Sequence, residues 1–142
     1  MPSLFIPEGQ QHMVSFLDPT SVHKPGAAYS HSAVVPAGTE LVFFSGQVGL
    51  CADGSASAAI AEQAEQVFAN ISALLAAHWL GASALVKLTT FLVAGQDIQA
   101  VRAARSKFLS GHRPTSTLLY VSQLADPVWH VEVEAIAARS AA

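Results

Sequence analysis

From Ala58 to about Trp79, the positions Ile60, Ala64, Val67, Ile71, Leu74, Leu75 and His78 recur at steps of three and four. That spacing predicts one face of a long amphipathic helix. "ALVKLTTFLV", Ala84 to Val93, has the β-branched and aromatic content of a strand and lies between Gly81 and Gly95. Asp97 is placed to cap a second helix, Ile98 to Leu109, which Gly111 ends. "TSTLLYVSQL" and "VWHVEVEAIA" then read as two strands separated by Ala125-Asp126-Pro127. Upstream, "HSAVVPAGTELVFFSGQVGL" contains two apolar runs around Pro36-Ala37-Gly38. These predict a hairpin whose second run, Leu41 to Ser45, is the more buried. "CADGSAS" reads as a turn leading into the first helix. Residues 1 to 28 carry Pro2, Pro7, Pro19, Pro25 and Gly26, so a largely irregular segment with one short strand is expected there.

The main order is β-β-α-β-α-β-β, which predicts a two-layer α+β domain with both helices on one face of a sheet. The length, 142 residues, fits a single domain, 1–142. Leu118, Val121, Val131 and Val133 add more apolar surface than one helical layer hides, so the other sheet face also needs cover. Composition points the same way. Hydrophobic residues make up 51% and charged residues 12%, a thin polar coat that favours self-association. The formal charge of −3 argues against a nucleic-acid partner. No apolar run approaches the roughly 20 residues that span a bilayer, and "MPSLFIPEGQQ" lacks the basic and apolar regions of a signal peptide. The single cysteine, Cys51, supports no disulfide framework, so a cytoplasmic setting is the expectation. No internal repeat is visible.

Several stretches carry a more specific signal. "YSHSAVV", "LVFFSGQVGL", "NISALLAAHWLGAS", "LVKLTTFLV", "RPTST" and "HVEVEAIA" follow the order of the RidA/YjgF family, also called the endoribonuclease L-PSP family. The sequence resembles that family from Tyr29 to Ala138, about three-quarters of the chain. The resemblance implies a chorismate-mutase-like fold. It also implies a homotrimer whose sheets form a central barrel, with small-molecule sites in the three clefts between subunits. The activity it implies is hydrolysis of reactive enamines or imines, such as 2-aminoacrylate, to the keto acid and ammonia. Such an enzyme is a hydrolase of the 2-iminobutanoate/2-iminopropanoate deaminase type, with no cofactor and no metal.

In the family a Pro-Ala-Arg-Ser motif supplies an arginine that holds the substrate carboxylate in a bidentate pair. The matching residues here are Pro114, Thr115, Ser116 and Thr117, so the arginine position is Ser116. By the same resemblance Glu132 is the residue that positions or activates water, with one extra residue in the "ADPVW" turn. Tyr29, Ser45 and Gly46 shape the cleft. Loss of a charge-assisted contact in a partly desolvated cleft costs about 2–5 kcal/mol of binding, which puts the family's activity in question here.

A replacement charge is sought among three arginines. Arg113 precedes Pro114, is expected to be extended, and reads as a loop arginine. At 100° per residue from Ile98, Arg105 falls at about −20° and Arg102 at about +40°, both on the apolar face. The resemblance places an asparagine lining the cleft at the position of Arg102 and an aromatic residue at that of Arg105. Either guanidinium then replaces the missing anchor, with Arg102 the preferred candidate. Otherwise both snorkel to solvent or pair with Glu132 or Glu134.

Glu132 and Glu134 alternate with Val131 and Val133 and therefore share one strand face. Two carboxylates so placed offer a general base when one is withdrawn from water; a solvated strand face is the plainer reading. The six histidines show no metal-binding spacing. Ser45, Ser116 and Thr117 lack a G-x-S-x-G elbow. Two functions remain open. One is an enzyme adding water to a C=N or enamine substrate, with Glu132 handling the water and Arg102 or Arg105 holding the ligand. The alternative is a non-catalytic module that binds or senses a carboxylate-bearing metabolite.

Overall fold

The computed structural model of the chain describes residues 13–141. The elements are β1 (Ser15–Leu17), β2 (Ser32–Val34), β3 (Thr39–Val48), α1 (Ile60–Ala77), β4 (Leu85–Val93), α2 (Ile98–Leu109), β5 (Thr115–Val121) and β6 (Val131–Ser140). The short strand expected before residue 28 is β1, and residues 18–28 are irregular as expected; residues 1–12, with the stretch read as lacking signal-peptide features, fall outside the described residues.

One pairing differs from the sequence reading. The runs around Pro36-Ala37-Gly38 form no hairpin. β2 pairs antiparallel with β1, from Ser15↔Val34 to Leu17↔Ser32, as a separate ribbon. Thr39 N donates to Pro36 O at 3.3 Å, and Gly38 adopts φ +81°, so the turn carries the chain from the ribbon into the main sheet. A three-residue strand offers β3 little ladder. β3 instead satisfies its backbone along β6, from Thr39↔Ser140 to Val48↔Glu132.

The main sheet runs β3-β6-β4-β5, with β4 and β5 parallel and the other pairs antiparallel. Both helices cover one face. Val67, Ile71 and Leu75 of α1 and Val101, Ala104 and Leu109 of α2 are buried against Leu88 and Leu92 of β4 and Val131, Val133, Ala135 and Ala137 of β6. Each fully buried aliphatic side chain contributes about 1.5–3 kcal/mol, and Phe68 stacks on Phe108 to join the helices. Asp97 caps α2 as expected, its side chain accepting from Gln99 N. At the end of α1, Leu80 N donates to Leu75 O at 2.9 Å, and Trp79, at φ +56°, takes the left-handed position usually given to glycine.

Strand alternation decides the second face. Val131 and Val133 lie on the helix face, and Leu118 joins them because it is in register with buried Thr90. Val121 does lie on the uncovered face as expected, and the other apolar residues there include Leu41, Phe43, Phe91, Val93, Leu119 and Ile136. Phe43 is 70% exposed and Leu41 47% in the single chain, so the Leu41–Ser45 run is not uniformly buried. β3 is an edge strand, and only Phe44 of that run is buried. Among the described residues no helix is long and apolar enough to cross a membrane.

Candidate functional site

Arg105 lies on the buried stripe of α2, between Ala104 and Leu109, as its helical phase requires. Its NH1 donates to the hydroxyl of Ser116 on β5 at 3.4 Å. Only 4% of its surface is exposed, and its Nε has no partner among the described residues. Burial, with the nearby charge of Arg102, lowers its pKa from the ordinary arginine range; the guanidinium stays cationic at neutral pH. The ion pairs among the described residues are Lys107–Glu65 and Arg139–Glu40. Neither arginine of α2 pairs with Glu132 or Glu134, and Arg102 is exposed. The cation seated beside the position of the missing arginine is therefore Arg105 rather than Arg102.

The start of β5 also anchors the segment that carries Tyr29. Ser30 forms a parallel bridge to Thr115, its N–H donates to Pro114 O at 3.0 Å, and its hydroxyl donates to Arg113 O at 2.6 Å. Arg113 is more than a loop arginine: its Nε and NH2 donate to Tyr29 O at 3.2 and 2.9 Å. The Tyr29 ring packs edge-on to His31 at 5.6 Å. Sequence reasoning missed this clamp because it depends on a contact 84 residues apart.

A second cluster lies on the uncovered face. Glu132 and Glu134 project there together, in register with Phe91 and Thr89 of β4. The β3–β6 register shifts between Phe44 and Gln47, which brings Gly46 beneath Glu132. A Cβ at position 46 would meet Oε1, Cδ and Cγ of Glu132 at 2.0, 2.8 and 3.0 Å. Ser45, in the same irregularity, is exposed and its carbonyl accepts from Gln47 Nε2. Thr117 is exposed on the same face, in register with Thr89. Nearby, Phe43, Phe44, Lys87, Thr89, Glu134, Ala135 and Ile136 line a depression of about 210 Å³, which touches neither Arg105 nor Ser116.

Within one chain these residues form two groups rather than one site. Arg105, Ser116 and the tethered Tyr29 gather at the β5 edge, with Ser116 on the helix face. Glu132, Gly46 and Ser45 gather near the β3 edge on the opposite face. β5 is two strands from β6, about 10 Å in the hydrogen-bonding direction.

The family model described as Endoribonuclease L-PSP matches residues 20–139. This chain belongs to that family, the RidA/YjgF family. Its relatives within the family include HMF1 of Saccharomyces cerevisiae, 32% identical over 130 residues that cover 89% of this chain and 98% of HMF1. TdcF of Escherichia coli, whose name places it provisionally among the reactive intermediate deaminases, is 31% identical over 121 residues. That match covers 82% of this chain and 92% of TdcF. The crystal structure of TdcF with bound serine superposes with TM-score 0.66 at 26% identity, covering 89% of this chain and 99% of that one. A Rid-family protein of Yersinia pestis, YyfB, is similar in fold at TM-score 0.79 and 24% identity, covering 87% of this chain and 97% of YyfB. Against the family's Pro-Ala-Arg-Ser motif, this RidA/YjgF protein carries Ser116, with a helix-borne guanidinium placed beside it.

Proposed function

We propose that this protein binds a small carboxylate-bearing metabolite in clefts between copies of itself, with Arg105 as the anion anchor. The observation that carries this reading is the burial of Arg105 without a carboxylate partner, and with an unsatisfied Nε, among the described residues. A nearly buried cation is costly unless an anion reaches it. A bound carboxylate accepting from the guanidinium supplies that anion. Serine, bound in the TdcF structure, is a carboxylate of the right size class.

Self-association, as a homotrimer, completes the cleft in this reading. It brings the Glu132 group of one copy to the Arg105 group of another and covers Phe43 and Leu41. The reaction is then hydrolysis of an imine or the tautomeric enamine. Glu132 accepts a proton from water as the oxygen attacks the imine carbon. The C–N bond of the resulting carbinolamine breaks as nitrogen gains protons, leaving the keto acid and ammonia. Tyr29 and the Ser45-Gly46 backbone shape the walls, Ser116 of β5 lies beside the anchor, and Thr117 contributes on the opposite face of that strand. No cofactor is required, and the setting is cytoplasmic. RNA cleavage fits less well, since the formal charge is −3.

The relocation of the charge from strand to helix favours a second reading, in which the same cleft binds a metabolite without turning it over. One assay separates the two. 2-Aminoacrylate is generated enzymatically and the semicarbazone-trappable imine is followed with and without the protein, while serine and 2-oxobutanoate are titrated calorimetrically. Faster loss of imine, abolished by Glu132→Gln and by Arg105→Met, supports the enzyme. Carboxylate binding without acceleration supports the binding module, and absence of both rejects the whole reading.

A further inference from the structure

Arg102 and Arg105 stand three residues apart on α2, which makes them neighbours on one helix surface. α2 itself contains no acidic residue, and the acidic group at its start, Asp97, is engaged with Gln99 N. No ion pair among the described residues involves either arginine. Two adjacent like charges with no acid between them repel, and burial of one of them makes the arrangement more costly. Yet the two differ in setting: Arg105 is buried against Ser116, whereas Arg102 is exposed. The two therefore stand as one buried and one exposed cation a single helical turn apart.

We infer that the ligand of this site is a dianion, a short dicarboxylate whose inner carboxylate meets Arg105 and whose outer carboxylate meets Arg102. This rests on the proposed carboxylate-binding function and adds the ligand class to it. Side chains at this helical spacing start about 5–6 Å apart at Cβ, a separation that the two ends of a four- or five-carbon dicarboxylate span. A ligand with one carboxylate satisfies Arg105 and leaves Arg102 in water. The second contact is at the rim, so its effect is moderate and salt-sensitive.

The test compares dissociation constants of glutarate and butyrate by calorimetry at low ionic strength, using the protein in its native assembly. Glutarate is expected to bind about fivefold tighter than butyrate to the parent protein. In Arg102→Gln the ratio falls towards one, and Arg102→Lys restores part of it. Equal affinities in the parent protein, or a preference that survives Arg102→Gln, overturns the dianion inference. The underlying reading fails differently. If neither anion binds, or Arg105→Met binds both as the parent does, the carboxylate site itself is rejected and the inference with it.

Discussion

The carboxylate of Glu132 fills the space that a side chain at Gly46 would need. A Cβ there would fall 2.0 Å from Oε1. The glycine of "SGQ" thus makes room for the Glu132 side chain rather than serving a backbone conformation, since residue 46 is not among those with positive φ. Gly46→Ala is expected to push Glu132 off this position and, because the clashing atoms end a flexible side chain that can turn aside, to destabilise the fold by only about 0.5–1.5 kcal/mol, the cost of a displaced rotamer. Chemical denaturation of the single variant and of Gly46→Ala/Glu132→Ala measures this. The double variant should recover most of the loss, and strictly additive effects would show that the two residues do not share the space.

Arg105 combines a stability cost with a proposed binding role, so its removal should move the two properties in opposite directions. Its exposure is 4%, and burial together with the charge of Arg102 opposes the cationic form. Arg105→Met keeps an unbranched side chain against the core and removes the unpaired charge. Without ligand it should stabilise the protein by about 1–2 kcal/mol, seen as a higher denaturation midpoint at unchanged slope. Carboxylate binding should be lost in the same variant. A destabilised Arg105→Met would mean that the guanidinium already has its compensation within the protein.

Gln63 is a polar residue on the buried stripe of α1, and its three hydrogen bonds explain why. Nε2 donates to Ser57 O at 2.7 Å and to Val128 O at 2.8 Å, and Oε1 accepts from His130 N at 2.9 Å. The amide pins the segment that leads directly into Glu132. Gln63→Leu preserves size but strands two carbonyls and an N–H, each costing about 1–3 kcal/mol if it stays buried. A loss of about 2–4 kcal/mol in denaturation is expected after partial rescue by water. Amide exchange at His130 should accelerate more than at Ile71 in the centre of α1. Equal acceleration would mean that Gln63 acts on global stability alone.

The same phase argument that places Ile71 inside α1 places Arg105 inside α2, so that polar exception is legible in the sequence; Gln63 shares the buried stripe of α1 but lies outside the positions that the apolar pattern picks out. Neither residue's partners are legible. Ser116 lies eleven residues from Arg105 and Val128 sixty-five from Gln63, and periodicity carries no information about which strand a helix meets. Both helices, β4 and the presence of β6 follow from local pattern, whereas the direction of β6 does not. The β1–β2 ribbon does not, because a turn around Pro36 is equally compatible with a hairpin and with a crossing between sheets. The Gly46–Glu132 contact depends on the register shift between Phe44 and Gln47, which strand alternation alone does not reveal. The motif resemblance supplied the family and the expected site; the structure supplied the separation of that site into two groups on one chain.

The uncovered sheet face gives the last prediction. Phe43 is 70% exposed in the single chain and lies in register with Ile136 on the neighbouring strand, beside Leu41. An aromatic side chain so placed loses water contact when another sheet packs on it, a gain of about 1.5–3 kcal/mol per buried copy. Phe43→Glu places a carboxylate on the same face as Glu132 and Glu134. Burying three acidic groups near one another opposes association through both desolvation and repulsion. Because Phe43 contributes little to the core beneath the helices, the chain itself should remain folded. Sedimentation velocity should therefore report an oligomer for the parent protein and a monomer with unaltered helical circular dichroism for Phe43→Glu. The monomer should also lose any imine hydrolysis, since neither of its two groups of site residues is complete alone. A parent protein that sediments as a monomer at micromolar concentration would remove the assembly, and with it the route by which Glu132 and Arg105 meet.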